Sequence, residues 1–323
     1  MTKRRILPFL LLMFCVNSIS AQVLESGDIL VGTEAGVIKI DPSNGFQTGI
    51  SSGTFLYPGI SGIVADTLGE NIYAVTLAGV DEEDRVVHVN PTNGQQTQIS
   101  SGGEFFNPDK TALLNGELYV VDWYAFAPAP TYIGGAVIRV DLDSGFQTGI
   151  SINGDFEYPR GLAAGRDGML YVSDEDMVFQ VDPTDGSQCV ISSGDSLEWA
   201  VDIAVSEDGR MWVTNNERDG IGVVINSEVI EIDPVTGQQT VIASGDPFDT
   251  LWAISASSDG YLFVGDLEAD AVFRVDPDTG MVTSISSGSL LTDGVASVFV
   301  MPGPFFTDGF ESGDVSQWSA SEG

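Results

Sequence analysis

The chain has 323 residues, 47 of them acidic and 12 basic, for a formal net charge of −35. A surface this acidic repels phosphate backbones and anionic lipid, which argues against nucleic acid and membrane partners and leaves divalent cations open. Hydrophobic residues make up 43% of the chain, and past the N-terminus no apolar stretch reaches transmembrane length, so a folded core is expected rather than a disordered or membrane-spanning chain.

The N-terminus reads as a secretory signal peptide over residues 1–21. Lys3, Arg4 and Arg5 precede the apolar run "ILPFLLLMFCV", and "NSISAQ" supplies small residues suited to cleavage after Ser20 or Ala21. Bulky Phe14 before Cys15 argues against a lipoprotein. The expected destination is extracellular, periplasmic or at the cell surface. Cleavage removes Cys15 and three basic residues, leaving nine basic against 47 acidic residues and Cys189 as the lone thiol. No internal disulfide is then available, and Cys189 is expected to be a small packed hydrophobe.

Next comes a repeat. "IDPSNGFQTGISSG" from Ile40 returns as "VNPTNGQQTQISSG" from Val89, "VDLDSGFQTGISING" from Val140 and "VDPTDGSQCVISSG" from Val181. Two further copies, "IDPVTGQQTVIASG" from Ile232 and "VDPDTGMVTSISSG" from Val275, complete six, at spacings of 49, 51, 41, 51 and 43 residues. A period of this length marks a repeat architecture. Each unit reads as four strands, A to D. In the fourth, "GLAAG" from Gly161 is strand A, "MLYVSD" from Met169 strand B, "MVFQVDP" from Met177 strand C and "SQCVIS" strand D. Asp/Asn-Pro-x-x-Gly suits the C–D hairpin, since Pro presets φ and Gly accepts the positive φ that closes the turn. No convincing amphipathic helix follows residue 22.

The first unit starts at strand B, "DILVG" from Asp28, with no strand A before it. "GVASVFV" from Gly294 resembles that missing strand. A C-terminal strand that completes the N-terminal sheet closes a ring and removes the exposed edges. The expected fold is all-β: a six-bladed β-propeller over residues 22–302, four antiparallel strands per blade, followed by an acidic Gly/Ser-rich tail over 303–323.

"YPRGLAAGRDGMLYVSD" and "AVDIAVSEDGRMWVTNN" resemble NHL-type repeats, and also the blades of streptogramin lyases and of the gluconolactonase and luciferin-regenerating enzyme family. The resemblance spans roughly residues 25 to 302. It implies the fold, and with it either an enzyme or a binding module. The tail segment "DGFESGD" is similar to short tails at the ends of secreted bacterial proteins.

Strand direction sorts the loops. The A–B and C–D turns fall on one face, the bottom, and the B–C and D–A loops on the other, the top. The recurring motif is therefore scaffold, and variation collects on the top, where binding is expected. The blade-three loop "DWYAFAPAPTYIGG" offers Trp123, Tyr124, Phe126 and Tyr132; the D–A loops and inner strands add Trp199, Trp252 and Arg160. Such rigid aromatics suit sugar rings or a protein partner. Alignment on the A–B turns puts Gly161 in register with Gly62, Lys110, Asp202, Ala253 and Gly294, and Arg160 with Ser61, Asp109, Val201, Trp252 and Asp293. Glu157, Glu198, Asp202 and Asp249 near the channel mouth are candidate Ca²⁺ ligands, a site the lactonase-like resemblance also implies, although Lys110 and Arg160 offer them ion pairs instead. Asp122, Asp174, Asn215 and Asp266 recur at strand B ends, where they are expected to bond loop backbone. His88 aligns with polar outward positions of strand C and is not expected to catalyse.

These residues support a monomeric, secreted module that binds a carbohydrate or an extracellular protein on its top face. A Ca²⁺-dependent lactonase or hydrolase and a structural surface protein are the alternatives.

Overall fold

The computed structural model describes residues 24–77, 83–124, 134–152 and 154–303. They form six four-stranded antiparallel sheets. Blade one holds β1 (Ile29–Gly32), β2 (Gly36–Ile40), β3 (Gln47–Ser52) and, from the other end of the chain, β24 (Ser297–Val300). Blade two is β4 (Ile60–Ala65) to β7 (Gln96–Ser101), and blade three β8 (Pro108–Leu114) to β11 (Gln147–Ile152). Blade four is β12 (Pro159–Ala164) to β15 (Gln188–Ser193), blade five β16 (Ala200–Val205) to β19 (Gln239–Ser244), and blade six β20 (Leu251–Ala256) to β23 (Val282–Ser287). Helix is confined, among the described residues, to single 3-10 turns at Thr54–Leu56 and Ser289–Leu291. This is the six-bladed propeller that the repeat predicts.

The ring closes as expected. β24 pairs antiparallel with β1, Ile29 opposite Val300 and Val31 opposite Val298. Val298 and Val300 pack with Ile29, Val31, Ile40 and Phe263, so the seam is part of the core. The backbone continues the closure below the strand, where Gly27 N–H donates to the Met301 carbonyl at 2.9 Å. One register differs from the sequence alignment. Ser297 lies opposite Gly32 as Gly161 lies opposite Ser173, so Ser297 and Ala296, not Gly294 and Asp293, occupy the first blade's inner positions. Blade one is assembled from both chain ends and has no A–B turn from which to count.

The structure explains why the motif returns so faithfully. Its turn glycines (Gly45, Gly94, Gly145, Gly186, Gly237 and Gly280) have φ between 70° and 74°. A Cβ at each would also collide with a strand D carbonyl of the preceding blade. The following glutamine is a clasp. Gln147 donates through Nε2 to Ser100 Oγ (2.9 Å) and the Gly102 carbonyl (2.9 Å) of blade two, and its Oε1 accepts from Glu104 N–H (2.6 Å). Ser100 Oγ in turn donates to the Gly145 carbonyl at 2.7 Å. The pairs Gln96–Ser51, Gln188–Ser151, Gln239–Ser192 and Gln47–Ser286 repeat it. At the seam between blades five and six both polar partners are replaced, by Ala243 and Val282, which pack in one apolar cluster. Five seams are polar and one apolar; none is half of each, as the expense of an unmatched buried polar group requires.

One expectation is corrected. Cys189 is exposed rather than packed, since it sits on β15, the outermost strand of blade four. His88 is half-buried, with its Nε2 2.9 Å from Asn71 Oδ1 and its ring beside Tyr73, and burial holds its pKa below the usual value. The segment expected to be a signal peptide and the tail beyond Gly303 lie outside the described residues.

Candidate functional site

Each of the five continuous inner strands is bulged near its top. The register slips between Ile60 and Gly62, Pro108 and Thr111, Pro159 and Gly161, Ala200 and Asp202, and Leu251 and Ala253. The skipped residues are Ser61, Asp109 with Lys110, Arg160, Val201 and Trp252. A bulge frees a side chain from the alternation of its strand and re-aims it. The same backbone device, repeated around the ring, takes chemically different side chains out of the strand alternation: Ser61 and Val201 are buried in the packing, whereas Asp109, Arg160 and Trp252 come together.

The most elaborate of these surrounds Arg160. Its guanidinium carbon lies 3.7 Å from the Trp123 ring centroid, 4.9 Å from Trp199 and 5.2 Å from Trp252. Trp199 and Trp252 meet edge to face at 5.4 Å. Arg218, from blade five, lies against the same Trp199 ring at 2.8 Å. The aromatic surface continues outward: Trp123 to Tyr124 at 6.4 Å, Tyr124 to Tyr158 at 5.9 Å and Tyr124 to Phe106 at 6.3 Å, each edge-on. Arg160 is only 8% exposed, and burial draws its pKa down to about 10, with Asp109 opposing the shift. Electrostatic attraction to the ring faces offsets part of the loss of water.

Beneath the cage lies a charged layer. Asp109 Oδ1 accepts from Lys110 Nζ at 2.8 Å, and its Oδ2 accepts from Trp123 Nε1 at 3.1 Å with Arg160 Nη1 at 4.0 Å. Asp202 holds the Gly161-equivalent position of blade five and accepts from the Ile203 and Ile254 amides at 2.9 and 3.0 Å. Burial pushes its carboxyl up to about 7, while the Lys110 charge pulls the other way.

The loops that carry the cage are fixed by the Asp and Asn side chains at the strand B ends, in the role expected of them. Asp174 accepts from the Glu157 and Tyr158 amides at 2.7 and 2.6 Å, and Asn215 from Glu198 and Trp199 at 2.9 and 3.0 Å. Asp122 accepts from Phe106, Asn107 and Tyr124, and Asp266 from Asp249 and Thr250. These side chains are buried, and burial raises Asp122 and Asp174 to about 6 despite the amide donors.

The structure therefore gathers Trp123, Tyr124, Arg160, Trp199 and Trp252 at the mouth of the channel. Phe126 and Tyr132 lie outside the described residues. The D–A aromatics divide by role. Phe105, Phe156 and Phe248 are buried within the blade packing, whereas Tyr57, Phe106 and Tyr158 are exposed. The four acids named as candidate metal ligands are dispersed. Glu157, Glu198 and Asp249 are exposed on the top rim and Asp202 is buried below. Among the described residues, no three Asp, Glu, His or Cys side chains come together to hold a metal ion.

Sequence reasoning missed Arg218. "NNERDGIGVVINS" reads as an irregular loop, but β17 (Met211–Arg218) and β18 (Val224–Ile232) continue through it as a hairpin. The β-branched run at Val223 to Ile225 is the signal that pointed to strand. Also unforeseen is a cavity of about 760 Å³ on the bottom face, walled by Ile63, Leu162, Ala204, Ile254 and Val298 and reaching Lys110 and Asp202.

The sequence matches no family profile and no curated protein. Solved structures share the fold. A chain of the nidogen/laminin complex superposes with a TM-score of 0.66 at 11% identity, covering 85% of this chain and 98% of that one. A candidate 6-phosphogluconolactonase from Bacteroides fragilis superposes with a TM-score of 0.53 at 15% identity, covering 84% of this chain and 96% of that one. At such identities the likeness is one of fold.

Proposed function

We propose that the protein is an exported binding module that recognises a carbohydrate on its top face, and that its blades are of the NHL and gluconolactonase-like group. The observation that carries the reading is the cage of three tryptophans around Arg160, continuous with Tyr124 and the exposed ring of Tyr158. Flat apolar rings bordered by fixed hydrogen-bond donors match the faces and hydroxyls of a sugar. Bulges and buried loop anchors hold the rings in place before any ligand arrives, so little ordering is needed on binding.

The test is titration calorimetry of the purified protein against a panel of soluble oligosaccharides. Trp123→Ala is expected to lower affinity at least ten-fold, and Tyr158→Ala to weaken it less. If no oligosaccharide binds, or if Trp123→Ala binds as the native protein does, the reading falls. A protein ligand is the second reading. The blade-five hairpin raises Ile221, Val223 and Ile225, all more than half exposed, beside the cage, and a propeller of this fold occurs in the nidogen/laminin complex. An Ile221→Asp variant that keeps all oligosaccharide binding would leave the hairpin to that second role.

A further inference from the structure

Resting on the carbohydrate reading, we infer that the sugar recognised at the cage carries a carboxylate, as a uronic acid does, and that Arg160 and Arg218 together receive it.

The argument begins with how the other basic side chains are used. Lys39 pairs with Asp28 at 2.8 Å, Lys110 with Asp109 at 2.8 Å and Arg139 with Glu117 at 3.2 Å. Arg166 pairs with Glu207 at 2.6 Å, and Arg210 with both Glu231 and Asp278. With 47 acidic residues in the chain, a hydrogen-bonded carboxylate is the common state of a cation here, although Arg274 lies instead over the Tyr261 ring at 4.5 Å. Arg160 and Arg218 depart from it. Nε and Nη1 of Arg160 and Nε of Arg218 are shut from solvent and donate to no acceptor. Asp109 approaches Arg160 only to 4.0 Å, and its oxygens already accept from Lys110 and Trp123. Trp199 Nε1 is likewise buried with no acceptor. Three orphan arginine nitrogens and the indole N–H of Trp199 itself therefore gather at one tryptophan ring, on which both arginines lie. Buried donors are nearly always matched, and a cluster of exceptions calls for the group that matches them.

The chemistry of that group follows from the donors. Charged N–H donors are matched best by an anionic oxygen acceptor, and a carboxylate is the planar monoanion that offers two such oxygens, one for each guanidinium. The flanking ring faces of Trp123 and Trp252 accept the body of a sugar that bears it. The charge is bounded as well. Glu175 lies near enough to act on both guanidiniums, and the Arg218 backbone amide contacts Glu198 at 3.4 Å. One further negative charge complements this setting, whereas a doubly charged phosphate meets repulsion from both acids. Arg218 is less buried than Arg160 and sits at the end of β17. It is the side chain whose displacement opens the deeper donors to the mouth.

The decisive experiment compares one sugar in two charge states. Calorimetry on the native protein uses galacturonate and glucuronate oligomers, their methyl esters, the neutral galactose and glucose oligomers of equal length, and glucose 6-phosphate. The uronates are expected to bind at least ten-fold tighter than their esters, and to weaken as sodium chloride rises from about 50 to 500 mM. Arg218→Gln is expected to lower uronate affinity at least ten-fold and ester affinity by much less, so that most of the preference is lost. Arg160→Met, which keeps bulk against the rings, is expected to abolish it. Equal affinity for uronate and ester, as ordered water on the orphan donors would produce, overturns the carboxylate inference and leaves the carbohydrate reading standing. Tighter binding of the phosphate overturns it also. Absence of binding by any of these sugars overturns both.

Discussion

At the scale of single residues, the informative positions are those where a side chain departs from the norm of its site. Asp202 stands where Gly62 and Gly161 stand in other blades, and burial lifts its carboxyl to about 7 from an ordinary 3.8. A carboxyl whose folded pKa lies above its unfolded one holds a proton in the folded chain that the unfolded chain has released. Its contribution to stability is therefore complete below about pH 4 and is lost as pH rises through about 7. Asp122 and Asp174, raised to about 6, act in the same direction. The melting temperature is expected to be higher at pH 5 than at pH 8, and Asp202→Asn is expected to flatten the part of that slope between pH 6 and 8. An unchanged slope in the variant would refute the assignment. At this scale the sequence revealed only part of the site. Alignment on the turns located Asp109, Arg160 and Trp252, because bulges recur at one place in each blade. Arg218 escaped, since its contact with Trp199 depends on how far a hairpin extends. Cys189 was misplaced because small apolar residues fit the outer edge and the core equally well.

Strands and turns obey a simpler rule, and its unit is the seam between blades. The Gln–Ser clasp satisfies a side-chain amide, a hydroxyl and a backbone N–H at once. Gln147→Ala removes the amide and strips a partner from Ser100 Oγ, the Gly102 carbonyl and the Glu104 N–H, and is expected to cost about 1–3 kcal/mol, read as a lower midpoint in urea with an unchanged m-value. The seam at Ala243 and Val282 supplies the reciprocal case. Ala243→Ser alone places a hydroxyl without its glutamine partner in an apolar cluster and is expected to destabilise. Adding Val282→Gln should recover part of the loss through the Nε2–Oγ bond, since Pro247 has no N–H for the glutamine oxygen, giving a double-mutant coupling energy of about 1 kcal/mol. Additive effects would mean the two positions do not interact. The recurrence of glutamine and serine was plain in the sequence. Their partnership was not, because the pairs join residues 37 to 47 positions apart, and 239 apart at the ring closure, across two sheets that no local pattern connects.

For the molecule as a whole, closure decides whether six sheets behave as one. Burying Val298 and Val300 against blade one is worth about 1.5–3 kcal/mol per side chain, and β24 supplies hydrogen-bond partners to β1. Val298→Asp is expected to lower the melting temperature and to promote self-association through the opened edge, visible by light scattering on heating. A variant that melts as the native protein does would show the ring to be held elsewhere. The circular plan was legible because a repeat with a fragment missing at one end and surplus at the other admits few arrangements. The chemical identity of the mouth was not, since ring contacts among blades three to six have no sequence period. Leu24 and Met301 pack together against Gly69, at the foot of blades one and two. Both ends of the described chain thus depart from one side, opposite the tryptophans. A tether joined to the chain at Leu24 or at Gly303 would therefore leave from the base, on the face opposite the tryptophans, and would bias an immobilised sample toward one orientation.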